Sequence, residues 1–253
     1  MEETRTYSKI KTEDVLKADL GTKLWFVWMV VWGSLCLAFF STGVMIHHIF
    51  EPTLEVFHRW SGAWARTTLR GFGMQVRVTQ HAPLDPKQPY IFVSNHQNSL
   101  DILVEAGFVP VPFGFLAKTE LRSVPFLGQV LKTFCVFVDR STPRKALESL
   151  KQGGEIIQAG HSILVYPEGE RTWSNEMVEW MRGAFDLAIN AGVPIVPVTL
   201  VDNYRLLDER CYIGTVGCLH CIIHPPFSLE GKSRKDIPQI MEQVKAIVES
   251  GLE

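Results

Sequence analysis

Hydrophobic and polar positions divide this chain into two stretches of different character. From Leu24 to Ile46 run 23 consecutive residues without a charge, LWFVWMVVWGSLCLAFFSTGVMI. As a helix that run is about 35 Å long, enough to cross a hydrocarbon core of about 30 Å. A cleaved leader fits poorly, because the run starts late, exceeds a normal apolar core and lacks a small-x-small cleavage site. Membrane embedding is the expectation, and both spanning and dipping stay open. Gly33, Ser34, Ser41, Thr42 and Gly43 allow a bend, and His47-His48 and then Pro52 close the run. The basic residues of the flank (Arg5, Lys9, Lys11, Lys17, Lys23) lean toward a cytoplasmic amino terminus. From Thr53 to Phe72 a second helix is expected, with Phe57, Trp60 and Trp64 on one face and Arg59, Arg66 and Arg70 opposite. Such a helix suits the headgroup layer, or it packs its aromatics on a domain core.

After Gly73 short apolar or β-branched runs alternate with helical spacing. MQVRVT, YIFVSN, FGFLA, FCVFVD, SILVYP and IVPVTLV read as strands, several apolar throughout, as buried sheet strands are. Leu100 to Phe108, Pro143 to Ala159, Gly183 to Asn190 and Asp236 to Ser250 read as helices, and CLHCIIH as a last strand. The expected architecture is one α/β domain over residues 73–253, with a central, mostly parallel sheet flanked by helices. Residues 1–72 form a membrane-anchoring helical region before it.

Composition narrows the function classes. Hydrophobic residues make up 46% and charged residues 21% of 253, which excludes wholesale disorder. A formal charge of -2 supplies no basic field, so no nucleic-acid partner is expected. Five scattered cysteines form no disulfide framework and fit a reducing compartment. Cys218, His220, Cys221 and His224 lie close in sequence, but on a strand Cys221 faces away from the other three. No metal site is expected.

Chemistry-bearing residues gather at strand ends, where α/β sheets collect ligands. Past YIFVS come Asn95, His96, Asn98, Ser99 and Asp101, at the start of a helix for which Ser99 is a plausible N-cap. Across such a turn the Asp101 carboxylate can fold back on the His96 imidazole, fixing its tautomer for general-base work. Tyr166-Pro167-Glu168-Gly169-Glu170-Arg171 ends a second strand, and Arg171 suits a phosphate. Lys118 and Arg140 follow two more strands, so a converging basic rim for a phosphate is expected. No G-x-S-x-G elbow exists to carry a seryl intermediate.

Five blocks in order resemble the 1-acylglycerol-3-phosphate acyltransferase family, over about Phe72 to Val201. They are Asn95-His96 with Asp101; Lys118-Thr119-Glu120-Leu121; Phe137-Val138-Asp139-Arg140; Pro167-Glu168-Gly169-Glu170-Arg171; and Val193-Pro194-Ile195-Val196-Pro197-Val198. Two positions depart: Glu170 stands where the family has Thr or Ser, and Phe134 where a Gly usually opens the third block. The resemblance implies a glycerolipid-acyltransferase-like domain in which His96, held by Asp101, deprotonates a lysophospholipid hydroxyl that attacks an acyl thioester. It implies an acceptor-phosphate site of Lys118, Arg140, Glu168, Gly169 and Arg171. It also implies an acyl-donor side at Val193, Pro194, Ile195, Val196 and Pro197, whose plainer role is a core strand. No cofactor is implied beyond the co-substrate, an acyl-carrier-protein or coenzyme A thioester. The implied product is phosphatidic acid, and the location the inner face of a membrane. Another lysophospholipid, a lyso-aminolipid or glycerol-3-phosphate stay open as acceptors. A lipid hydrolase and a non-catalytic lipid-binding adaptor are the competing classes.

Overall fold

The computed structural model describes residues 19–51, 53–123, 128, 131, 135–138 and 142–253. The basic flank before Asp19 lies outside them, as do Phe134, Asp139 and Arg140.

The uncharged run becomes α1, Leu20–Phe50, 31 residues long with a mean hydropathy of 1.9 over its most apolar window. By length and composition it is the one described helix able to cross a membrane. Asp19 caps it, its carboxylate accepting from the Thr22 backbone N–H at 2.8 Å. A chain reversal at Glu51 leads into α2, Leu54–Gly71, capped by Thr53 Oγ1 on the Val56 N–H. The helices form a hairpin fastened near both ends by indole N–H groups. Trp28 donates to the Gly71 carbonyl at 2.8 Å, and Trp60 to His47 Nδ1 at 3.1 Å. The aromatics of α2 are thus taken up by protein packing: Phe57 is buried with Val44 and Leu54, and Trp64 lies against the main core. The aromatic face of α2 therefore packs on protein, against α1 and the main core. The outer side of α1 is apolar and uncovered, with Leu24, Val27, Val31, Leu35, Phe39, Ile46 and Ile49 all exposed.

Among the described residues the sheet has seven strands: β1 Met74–Gln80, β2 Ile91–Ser94, β3 Phe113–Lys118, β4 Val136–Val138, β5 Ser162–Val165, β6 Ile195–Val201 and β9 Gly217–Ile223. Their order is β1-β9-β6-β2-β5-β3-β4, parallel throughout except where β6 meets β9. β1 and β9 consequently run opposite to the other five. A separate two-stranded hairpin, β7 Leu207–Asp208 and β8 Ile213–Gly214, was not foreseen, since strands of two residues leave no alternation to read.

The continuous apolar strands are buried on both faces, so alternate residues feed two cores. Phe92, Leu164 and Val196 face one core, which also holds Met29, Leu69 and Phe72 and packs α3, Leu100–Phe108. Ile91, Val93, Ile163 and Ile195 face the other, with Phe185, Leu187 and Val244. That second core is covered by α4 Pro143–Gln158, α5 Gly183–Ala191 and α6 Ile237–Ser250. Arg66 reaches across from α2 to the Gly107 carbonyl at 2.7 Å, tying the amino-terminal helices to α3. Packing thus continues from the amino-terminal helices into the sheet and its helices.

Candidate active site

β2, β3, β4 and β5 are parallel neighbours or near neighbours, so their carboxyl ends share one edge of the sheet. There the chain leaves β2 through Asn95–Ser99, a turn rich in buried polar groups. Each must find a partner or destabilise the fold. Asn95 is locked to Leu200 of β6 by two bonds, Nδ2 to the carbonyl at 2.9 Å and the Leu200 N–H to Oδ1 at 2.8 Å. Gln97 bonds the same carbonyl and accepts from the Tyr204 N–H. Asn98 donates to the carbonyls of Asn203 and Leu207, and its Oδ1 accepts from the Leu100 N–H at 2.9 Å. Asn98 thereby does the capping expected of Ser99, whose backbone is helical and whose side chain caps nothing.

Asp101, fully buried in the first turn of α3, folds back as the spacing suggested. Its Oδ2 accepts from His96 Nδ1 at 2.9 Å and from the N–H groups of Gln97 and Asn98 at 2.5 and 2.9 Å. Its Oδ1 accepts from Asn203 Nδ2 at 2.9 Å. A carboxylate at Nδ1 fixes the proton on that nitrogen, so Nε2 carries the lone pair. The imidazole lies flat on Tyr166, ring centroids 3.9 Å apart and planes 10° from parallel. Tyr166 in turn donates its hydroxyl to Glu105. Burial pushes the Glu105 carboxyl well above the usual carboxylate range and raises the Tyr166 hydroxyl as well.

The loop after β5 is strapped to this turn by backbone bonds. Thr172 N–H donates to the His96 carbonyl at 2.9 Å, and Trp173 N–H to that of Gln97 at 3.0 Å. Gly169 makes the reversal with a left-handed φ of 73°, which favours glycine. Glu168 is buried: Oε1 accepts the His96 N–H at 2.8 Å and Oε2 the Val178 N–H at 3.3 Å. Burial raises its pKa to about 7. Its carboxylate fixes the His96 loop. Arg171 extends past it, donating to Ser99 Oγ at 3.0 Å and Glu209 Oε2 at 2.8 Å.

His96, Asp101, Glu168, Gly169 and Arg171 are thus brought together. Lys118 is the last residue of β3, at the same sheet edge, and Arg140 lies outside the described residues, two positions beyond the end of β4. Val193, Ile195, Val196 and Pro197 are buried at the start of β6 and Pro194 partly so; Ile195 and Val196 fill opposite cores. Among the described residues no group of three or more His, Cys, Asp or Glu is placed to hold a metal. His220 bonds Thr79, His224 bonds Thr199, and Cys221 is buried.

Several participants escaped the sequence reading. Glu105 carried a usable signal, a lone carboxylate four residues after Asp101 in an otherwise apolar helix. Asn203, Trp173, Glu209 and Arg210 carried none, because chain folding alone brings them here.

Residues 75–201 match the family model Acyltransferase. The chain is 33% identical over 177 residues to the 1-acyl-sn-glycerol-3-phosphate acyltransferase of Saccharomyces cerevisiae, a match covering 68% of this chain and 58% of that one. It is 28% identical over 221 residues to the enzyme of that name from Pseudomonas aeruginosa, covering 86% and 83%. The alpha enzyme of Mus musculus is 32% identical over 181 residues, covering 70% and 62%. The yeast and mouse relatives are therefore matched over about three fifths of their length. In fold, the chain is similar to the crystal structure of the 1-acyl-sn-glycerophosphate acyltransferase from Thermotoga maritima, with a TM-score of 0.78 and 22% identity, covering 92% and 95% of the two chains. With a His96–Asp101 pair inside the matched region and the matched fold around it, this chain belongs to the Acyltransferase family.

Proposed function

We propose that this protein transfers an acyl group from an acyl thioester to the free hydroxyl of 1-acylglycerol-3-phosphate, giving phosphatidic acid. The observation that carries the reading is the His96–Asp101 pair, with Nδ1 committed to the carboxylate and the Arg171 loop strapped to the same turn. His96 Nε2 takes the acceptor hydroxyl proton as the oxygen attacks the thioester carbonyl. The tetrahedral intermediate then collapses, the carbon–sulfur bond breaks, and the imidazolium returns its proton to the departing thiolate. Asp101 and the Tyr166 face both stabilise the imidazolium between these steps. Arg171 holds the acceptor phosphate; Lys118, the last residue of β3, and Arg140, outside the described residues, are the further cations that the family resemblance implies. The reaction uses no resident cofactor or metal, because the thioester is already activated. The names of the relatives support the acceptor.

The exposed apolar side of α1 supports membrane association; that the active face meets the cytoplasm belongs to the proposal, on the ground that acyl thioesters are made there. The test is acyl transfer to lysophosphatidic acid by detergent-solubilised protein, with carrier-protein and coenzyme A thioesters run in parallel and the lipids separated. A diacyl product supports the reading and names the donor. Free fatty acid in its place marks a hydrolase, and folded protein inert toward every lysolipid marks an adaptor.

A further inference from the structure

A cluster of side chains outside the five sequence blocks surrounds Arg171. Glu209, at the tip of the β7–β8 hairpin, accepts from Arg171 Nη1 at 2.8 Å, and Trp173 Nε1 approaches the same oxygen at 3.4 Å. The guanidinium of Arg210 lies 4.6 Å above the Trp173 ring centre and that of Arg171 5.7 Å from it. Asp208, 2% exposed, aims Arg210 by accepting from its Nε at 3.0 Å and its Nη2 at 2.8 Å. Trp173 itself is held in the left-handed region at φ 52°, a strained backbone for a bulky residue. Two guanidinium groups are thereby held against one indole, each with its own carboxylate: Asp208, buried, for Arg210, and Glu209, partly exposed, for Arg171. Glu209 is the more accessible of the two anions and so the one an incoming phosphate can displace.

We propose that Glu209 and Arg210 set acceptor specificity: Glu209 holds the Arg171 fork while the site is empty and is replaced there by the acceptor phosphate, to which Arg210 presents the second guanidinium. The inference rests on the acyl-transfer reading and deepens it. Exchange of one anion for another keeps Arg171 oriented throughout, and only a headgroup of high charge density displaces the carboxylate. An acceptor without phosphate gains nothing from the exchange. The hairpin is also placed for a lipid, because it rests on the apolar helix: Tyr212 meets Phe26 edge to face with centroids 5.6 Å apart, and Met29 packs over Gly214.

Steady-state kinetics on the full chain, with lysophosphatidic acid and with monoacylglycerol as the phosphate-free acceptor, test this. Glu209→Gln frees Arg171 without adding bulk. It should lower KM for lysophosphatidic acid about three- to tenfold and raise the ratio of kcat/KM for the phosphate-bearing over the phosphate-free acceptor. Arg210→Gln should do the reverse, raising KM for lysophosphatidic acid about tenfold and lowering that ratio. Circular dichroism checks that both variants fold, and the Glu209 variant keeps the test informative should loss of the Asp208 partner unsettle the hairpin. A KM for lysophosphatidic acid that rises or stays within twofold in Glu209→Gln overturns the inference while leaving the acyl-transfer reading intact. Wild-type protein that acylates only phosphate-free acceptors overturns both.

Discussion

The imidazole of His96 rests face to face on the phenol ring of Tyr166, 3.9 Å between centroids. Tyr166 is the last residue before the Pro167 turn and is anchored below by Glu105. The ring gives the imidazole one orientation and an electron-rich face on which positive charge is stabilised. Tyr166→Leu removes both effects and should lower kcat about 10- to 30-fold, with a smaller change in KM. Tyr166→Phe keeps the stack but strands the buried Glu105 carboxyl. It should cost about 1–3 kcal/mol in urea unfolding while holding kcat within a few-fold of wild type.

Asp101 accepts hydrogen bonds from His96, Gln97, Asn98 and Asn203, all of them donors. An amide cannot accept from all four. In Asp101→Asn, Asn203 can turn its side chain, because its Oδ1 has no partner and is free to take the new N–H. The fold should therefore survive and the chemistry should not. The imidazolium loses its counter-charge, and kcat should fall about 10²–10⁴-fold with the melting temperature shifted far less than by a core truncation.

Glu168 gives a pH signature in stability. Its carboxyl, buried behind the His96 loop, titrates at about 7 in the folded chain against an ordinary 4.5. A raised folded-state value means that the native chain binds the proton more tightly than the unfolded chain does. The contribution is fully present below pH 4.5 and is lost as pH rises through about 7. Glu168→Gln lacks this titration. Its stability relative to wild type should shift in its own favour by on the order of 3 kcal/mol between pH 4.5 and 8, read from urea unfolding at each pH.

The amino-terminal hairpin closes on Gly71, where the Trp32 indole occupies the space a Cβ would take and the Trp28 N–H meets the carbonyl. Gly71→Ala forces the indole away and should destabilise the protein by about 1–3 kcal/mol. Thermal unfolding in detergent reads this directly. The shift should exceed that of Gly154→Ala, where an added Cβ meets only Leu187 at ordinary contact distance.

Sheet and helices were legible wherever period and punctuation agreed. The strand runs around Ile91, Ile163 and Ile195, and the stretch Leu100–Phe108, folded as their spacing predicts, because continuous apolar character suits strands buried on both faces. The His96–Asp101 relation was legible too, since a tight turn brings together residues five apart. The remainder depends on long-range meetings that leave no local trace. Glu209 reaches Arg171 across 38 positions, and Asn203 reaches Asp101 across 102. The side of α2 that packs was equally hidden, because an aromatic face under a basic stripe suits lipid and protein alike until the position of α1 is known.

The most direct measurement is acyl transfer to lysophosphatidic acid by wild type and His96→Ala, in matched detergent and with folding verified. Loss of the general base should lower the rate of diacyl product formation at least about 10²-fold. A His96→Ala protein that still forms phosphatidic acid within a few-fold of the wild-type rate would contradict the account, because the pair presents its basic nitrogen to the acceptor through His96 alone.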